Sequence, residues 1–312
     1  MNCPLCQSKS IAVEDIDISL LSNLWKGCKV DISGLIKSKQ MHKMKCLNCG
    51  LVFFDPPTAG DANFYNSLAQ WDWYYQHEDK SEYPYVAKMI RSGMRVLDVG
   101  SGMGEFQKHL EPGVEYIGVE LSETAVNKAK NNGIDVRAIP LGEMAASYPE
   151  YFDCVVCFQV LEHVVEINEM FGQIIAACKP GGLIAIAVPN NDAFLGYASN
   201  NYLNLPPHHV LQWNRSSLDC LGEKFGLQVV ETLEEKVTPV HWEWYLQVRV
   251  YKILCDLFQL KIQSVEKSDN GYIRGVLRKL TDRVTRYDFL FSRWKNCPGH
   301  TIIYVFRKKG NA

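Results

Sequence analysis

The chain has no apolar run long enough to cross a bilayer, and its first residues, Met1-Asn2-Cys3-Pro4, have the wrong composition for a secretory leader. Both absences set the expectation of a cytoplasmic protein. Net charge is nearly absent as well. The 33 Lys and Arg stand against 35 Asp and Glu, so no global field recruits a polyanion. Nor is there an even-numbered disulfide framework. The eleven cysteines are odd in number, and several fall inside apolar stretches, which is the usage of a reducing compartment. What is present is an ordinary globular composition, 47% hydrophobic and 22% charged, over 312 residues. That length suffices for one large domain with appendages or for two domains.

A further absence bears on function. Arg95-Val96-Leu97-Asp98-Val99-Gly100-Ser101-Gly102-Met103-Gly104-Glu105-Phe106 reads as a buried strand, a glycine turn and the first turn of a helix. A dinucleotide turn, Gly-x-Gly-x-x-Gly, needs its third glycine where Glu105 stands, and a carboxylate there repels a pyrophosphate. The spacing present is Gly-x-Gly-x-Gly, made by Gly100, Gly102 and Gly104. Asp98 lies two residues ahead, at the carboxyl end of the strand. This arrangement suits a ligand with a positive end and no phosphate.

The alternation then continues. Residues 115–120, 135–139, 151–158 and 183–188 read as strands, and helices are expected from Ser122 to about 131 and over 168–178, the second stopped by Pro180-Gly181-Gly182. Glu120 ends the second strand about twenty residues after Gly100, where a carboxylate can accept both hydroxyls of a ribose. Leu121, Leu141 and Met144 are placed to sandwich an adenine, with Glu143 or a backbone group reading its amino edge. The run Phe158-Gln159-Val160-Leu161-Glu162-His163-Val164 closes the fourth strand and opens a helix. Strand alternation puts Cys154 and Cys157 on opposite faces, so that pair does not chelate.

The glycine turn, Glu120, the Leu-Glu-His run and the Lys179-Pro180-Gly181-Gly182 turn together resemble the class I S-adenosylmethionine-dependent methyltransferases, over residues 95 to about 190. The resemblance implies an α/β fold with a doubly wound, seven-stranded Rossmann-like sheet and S-adenosylmethionine as cofactor. It places Gln159 against the sulfonium. It has Glu162 and His163 bracing the loop, with His163 a further catalytic candidate. It also brings a tyrosine of the preceding linker, Tyr74 or Tyr75, to the cofactor.

Upstream, Cys3-Pro4-Leu5-Cys6 and Cys46-Leu47-Asn48-Cys49 are two Cys-x-x-Cys knuckles in one short segment, the spacing of a tetrahedral Zn²⁺ site. Cys28, in the gap, is the rival ligand. Four thiolates leave no open position, so the zinc is expected to be structural. Residues 51–57 read as a strand with a proline stop. A knuckle ahead of such a domain resembles a subset of bacterial class I enzymes, sugar C-methyltransferases among them. The expected organisation is a zinc-binding module at 1–57, a helical linker at 58–94 and a methyltransferase domain at 95–312.

On the acceptor side, Pro206 and Pro207 stiffen a loop presenting His208 and His209. The resemblance lays such a loop over the acceptor. A hydroxyl acceptor must lose a proton, and His208 and His209 are the candidate bases. A sixth strand is expected over 227–237 and a seventh, antiparallel to it, over 300–306. Between them lies a long helical insert at 240–295. From Arg249 to Lys295 it holds eleven basic and five acidic residues. It reads either as a basic lid over an anionic acceptor or a membrane surface, or as a helical cap with a solvated basic face.

Three functions are consistent with these features. The first is methyl transfer to a hydroxyl or carbon of a small molecule, nucleotide-sugar or glycan. The second is RNA methylation with the zinc module gripping the nucleic acid, against which stands the near-neutral charge. The third is a non-catalytic zinc-dependent interaction module, against which stand the intact glycine turn and Glu120.

Overall fold

The structure is a computed structural model and describes residues 1–68, 70–71, 80–266, 271–286 and 296–310, with the side chains of 271–274 outside the description. Tyr74 and Tyr75 lie outside the described residues, as do Lys267, Arg293 and Lys295 among the basic residues counted in the insert.

The N-terminal segment forms a small antiparallel sheet. Strand β1 (Ser10–Asp17) leads into helix α1 (Ile18–Gly27), and β2 (Gln40–Cys46) and β3 (Val52–Asp55) follow. Asp17 caps α1 by accepting from the backbone N–H groups of Ser19 and Leu20, and the helix buries Ile18, Leu21 and Trp25. β2 pairs with both β1 and β3, which brings the two cysteine knuckles to one end of the sheet. Helices α2 (Ala62–Leu68) and α3 (Glu82–Ala87) then lead to the main sheet.

The main sheet contains β4 (Arg95–Val99), β5 (Glu115–Val119), β6 (Val136–Arg137), β7 (Phe152–Phe158) and β8 (Cys178–Pro189), all parallel. Helix α4 (Glu123–Asn131) joins β5 to β6, α5 (Leu141–Ser147) joins β6 to β7, and α6 (Ile167–Ala177) joins β7 to β8. Ser122 caps α4, as its position after Glu120 implies. Strand β9 (Leu211–Gln212) leaves this sheet and pairs with β3, so the N-terminal sheet has a fourth strand from far down the chain. Helix α7 (Arg215–Lys224), β10 (Gln228–Lys236), α8 (Trp242–Leu257), α9 (Gly271–Thr285) and β11 (Pro298–Arg307) complete the fold.

The seven-stranded order is β10-β11-β8-β7-β4-β5-β6, with β11 antiparallel to both neighbours. The chain moves outward from β4 through β5 to β6, then returns to lay β7 on the other side of β4. The strand order therefore reverses between β4 and β7, and the ligand crevice of an open α/β sheet lies beyond their carboxyl ends.

Alternation assigns each strand residue to one of two cores. Leu97, Val99, Val155 and Cys157 face α5, α6 and the cysteine knuckles, whereas Val96, Cys154, Val156 and Phe158 face α3 and α4. Cys154 and Cys157 thus lie on opposite faces, as expected. The knuckles belong to the first core, and side chains of the main fold hold them. Asn168 Nδ2 donates to the Pro4 carbonyl at 2.6 Å, Lys224 Nζ to Leu5 at 2.5 Å and Asn214 Nδ2 to Gly50 at 2.9 Å.

Several local expectations need adjustment. The third strand has two residues rather than five, since only Val136 and Arg137 pair with β5. The segment after Gly104 is a 3-10 turn, Glu105–His109, without a side-chain cap. The Leu-Glu-His run is likewise a single 3-10 turn, and α6 begins only at Ile167. Helix α6 ends before Pro180. Residues 179–182 loop out of β8 between the pairs Phe152–Cys178 and Cys154–Leu183. The start of α7 is set by Asn214, with Ser217 completing a capping box from the third position. In the insert, α8 and α9 pack together through Tyr251, Cys255 and Leu277. Arg278 pairs with the buried Glu266, and Arg249 donates to the Tyr197 hydroxyl, so part of the basic surplus is taken up internally.

Candidate active site

The glycine turn sits at the reversal point and each of its glycines has positive φ: +70° at Gly100, +55° at Gly102 and +77° at Gly104. Their surroundings differ. A Cβ on Gly100 would lie 2.4 Å from Val160 Cγ2, and one on Gly104 would lie 2.5 Å from Ile134 Cγ2, whereas one on Gly102 would meet nothing within 4 Å. The outer two glycines are required by packing, and the middle one faces open space.

Glu120 braces the turn. Its carboxylate accepts from Gly102 N–H at 3.0 Å and from Ser122 N–H at 2.8 Å. Each carboxylate oxygen has two acceptor sites, so a ribose diol can still be bound while the turn is held. Asp98 lies beneath the turn, 3% exposed, and accepts from the Tyr116 hydroxyl at 2.7 Å. Burial raises its pKa to about 7, against the Tyr116 bond, which pulls the other way. Leu121 is 75% exposed beside Glu120, Leu141 is half-buried at the start of α5 over the buried Met144, and Glu143 is exposed.

The neighbouring strand contributes Gln159, a non-glycine residue at φ +58°. Such a backbone stores roughly 1–3 kcal/mol of strain and is found where a side chain must be aimed. Its N–H bonds the Ala187 carbonyl, and its Nε2 donates to the buried Glu82 at 3.2 Å. Glu162 follows, 1% exposed, its pKa raised to about 8 by burial and its Oε2 without a hydrogen-bond partner among the described residues.

His163, His208 and His209 come together although 45 residues separate the first from the other two. Ring centroids are 4.6 Å apart for His163–His208, 4.9 Å for His163–His209 and 4.6 Å for His208–His209. Burial lowers all three pKa values, that of His163 to about 4 and those of His208 and His209 well below the ordinary imidazole range. The rings are therefore neutral at pH 7, and each by itself is a weak base.

The loop that carries the two adjacent histidines is pinned from several sides. Trp25 Nε1 donates to the Pro206 carbonyl at 3.2 Å, Gly60 N–H to Pro207 at 2.8 Å, and Val210 N–H to the Glu162 carbonyl at 2.8 Å. Gln212 Nε2 holds the Asn204 carbonyl, and Asn204 Nδ2 donates to Asn191. The N-terminal segment thus supports the loop directly, through Trp25 of α1 and through the β3–β9 pair. Sequence reasoning missed Glu82, Tyr116, Trp25 and Asn204. For Tyr116 a signal existed, since pairing Asp98 with Gly118 sets Tyr116 two residues away on the same face. The others arrive through loop packing, which has no period.

The four cysteines Cys3, Cys6, Cys46 and Cys49 converge, with sulfurs of Cys3–Cys49, Cys6–Cys46 and Cys6–Cys49 at 3.7, 3.5 and 3.6 Å. Four sulfurs about 2.3 Å from one tetrahedral ion would be about 3.8 Å apart, so the donor set fits a zinc ion with little movement. The Cys3 thiol is pulled down to about 5 by its bond with Cys49, whose own pKa is raised by the same contact. Cys28 lies outside this cluster, at the end of α1.

Residues 71–232, just over half of the chain, match the family described as Methyltransferase domain. The ubiquinone biosynthesis O-methyltransferase of Bordetella pertussis is 33% identical over 108 residues, covering 32% of this chain and 45% of that protein. The protein of the same name from Stutzerimonas stutzeri is 26% identical over 193 residues, covering 57% of this chain and 80% of that protein. A solved SAM-dependent methyltransferase from Archaeoglobus fulgidus is 20% identical, with a TM-score of 0.45 over 69% of this chain and 86% of that one. The chain thus spans less than half the length of the first of these relatives.

Proposed function

The chain belongs to the methyltransferase-domain family, and from that premise we propose that it transfers a methyl group from S-adenosylmethionine to a hydroxyl of a small molecule. The observation that carries this reading is the open Gly102 turn, held by the Glu120 carboxylate, at the point where the strand order reverses. Bound there, the cofactor supplies an electrophilic methyl on a positively charged sulfur.

The chain's residues do the rest. Gly102 lets the ligand approach the main chain, Glu120 takes the ribose hydroxyls, and Leu121, Leu141 and Glu143 border the adenine. Asp98 places a carboxylate beneath the turn. Gln159, aimed by its strained backbone and by Glu82, orients the reacting end. In-line displacement requires the acceptor oxygen opposite the sulfur, and alignment of this kind can remove roughly 7–11 kcal/mol of a barrier. The histidine group with Glu162 stands at the end of the adjacent strand, and we place the acceptor hydroxyl against it for activation. A hydroxyl rather than a carbon acceptor is supported by the relatives described above, which are O-methyltransferases.

In the cysteine cluster the reading is a structural zinc ion. It would join the two knuckles beneath α6 and α7 and so hold the sheet that supports the histidine loop. The test is direct. Purified protein is incubated with a cell extract and cofactor carrying a labelled methyl group, and products are sought by mass spectrometry. A labelled small molecule with an ether-linked methyl is the expected result. Label found only on carbon or in RNA, or no turnover alongside no cofactor binding by calorimetry, refutes it.

A further inference from the structure

His163, His208 and His209 have the features of a metal site in their own right. One ring nitrogen from each lies within 4.8 Å of the others. Three imidazoles on one tetrahedral ion, with bonds of about 2.0–2.1 Å, bring their donor nitrogens to about 3.3 Å, so the rings need close by about 1.5 Å at most.

Every Nδ1 has an oxygen acceptor. His163 Nδ1 lies 2.6 Å from the His208 carbonyl, with the Tyr65 hydroxyl at 3.3 Å. His208 Nδ1 lies 2.8 Å from the Leu203 carbonyl, and His209 Nδ1 lies 3.1 Å from Asn204 Oδ1. These acceptors assign the proton to Nδ1 and leave Nε2 as the donor nitrogen of each ring; on His163, whose ring the Gln159 carbonyl also contacts, an ion would take the place of that contact. Metal-bound histidines are commonly oriented in this way, by an acceptor on the ring nitrogen remote from the ion. The acceptors are themselves fixed. Asn204, which receives from His209, is held by Gln212 and Asn191.

A fourth group is at hand. Glu162 Oε1 lies 4.0 Å from His163 Nε2, and the buried Oε2 of the same carboxyl lacks a partner among the described residues. A side-chain oxygen this deeply buried ordinarily has one. The His163 side chain is 20% exposed, which gives an ion a way in.

We propose that His163, His208 and His209 form a second metal site, with Glu162 beside it, that takes a first-row divalent cation of the Zn²⁺ class. Imidazole donors suit zinc, iron, copper and nickel, and are a poor choice for magnesium or calcium. This site is chemically distinct from the four-sulfur cluster, and three nitrogens leave a position for an outside oxygen. Its use as the anchor of the acceptor hydroxyl rests on the methyl-transfer reading above; its occupation by a cation does not.

The experiment is metal analysis of the full chain after saturation with Zn²⁺ and removal of loosely held ion, in wild type, His209→Asn and His163→Gln. Wild type should hold about two ions per chain and each variant about one, the remaining ion being the thiolate-bound one. Substitution with Co²⁺ gives a second readout. Imidazole-bound cobalt contributes visible ligand-field bands without thiolate charge transfer, and those bands should vanish in the variants while charge transfer persists. Retention of charge transfer also reports that each variant is folded. A single ion per wild-type chain, or an unchanged count in both folded variants, overturns the site. Cofactor calorimetry on the same samples separates the two readings. Two ions with no cofactor binding removes the methyl transfer and leaves the metal site; cofactor binding with one ion does the reverse.

Discussion

Replacing the three turn glycines one at a time separates packing from ligand contact. All three backbones are left-handed, so alanine at any of them costs roughly 1–2 kcal/mol from Cβ crowding against its own carbonyl. At Gly100 and Gly104 the new methyl also enters within 2.4 Å of Val160 and 2.5 Å of Ile134, both in packed surroundings, which adds about 1–3 kcal/mol of overpacking. Gly100→Ala and Gly104→Ala should therefore lose about 2–5 kcal/mol in urea denaturation. Gly102→Ala should lose only the smaller share, because its Cβ meets nothing within 4 Å. That empty space is where the cofactor is placed, so calorimetry should show Gly102→Ala as the folded variant that no longer binds. If Gly102→Ala binds cofactor as wild type does, or if it is the least stable of the three, the assignment of the crevice is wrong.

Glu120→Gln should weaken cofactor binding by about 10- to 150-fold, the value of a charged hydrogen bond of about 1.5–3 kcal/mol, measured by calorimetry; a change under threefold would remove the ribose role. Asp98 should make the cofactor-free protein less stable as pH rises. Its folded pKa, about 7, lies above the unfolded value, so the folded chain holds an extra proton between roughly pH 4 and 7 and loses that advantage across this window. Urea midpoints from pH 5 to 8 should fall less steeply in Asp98→Asn, and parallel slopes would contradict the burial argument. A Cys46→Ser Cys49→Ser double variant should lose its thiolate-bound metal and exchange amide hydrogens faster over residues 203–212. Unchanged protection there would mean that the knuckles do not support the histidine loop.

The parts that could be read from the sequence are those with a period or a fixed spacing. The near-continuous apolar runs Val96-Leu97-Asp98-Val99 and 152–158 are a direct image of two-sided burial, and the strand pattern followed from them. The cysteine knuckles were legible because the Cys-x-x-Cys spacing is local and sets two sulfurs on one turn whatever the rest of the fold does. The 3-10 turns at Glu105–His109 and Leu161–His163 were not, since three or four residues carry too little pattern to separate them from an α-helical start. The meeting of His163 with His208 and His209 was also hidden. It depends on how a proline loop folds back over the end of β7, held by Trp25 from the first thirty residues. His208 and His209 were visible as loop histidines, but their burial, which decides what they can do as bases, was not.

The two-residue strand at Leu211–Gln212 has a consequence for anyone cutting this molecule apart. A fragment beginning after the proline stop would carry the whole large sheet, yet the backbone amides and carbonyls that now meet Val52 and Phe53 would be left facing solvent, and the indole clamp on the proline loop would be gone. Such a fragment keeps the crevice at the glycine turn and loses the scaffold of its histidine loop. Transplanting the first segment from a relative, instead of deleting it, would exchange the support on which that loop is set.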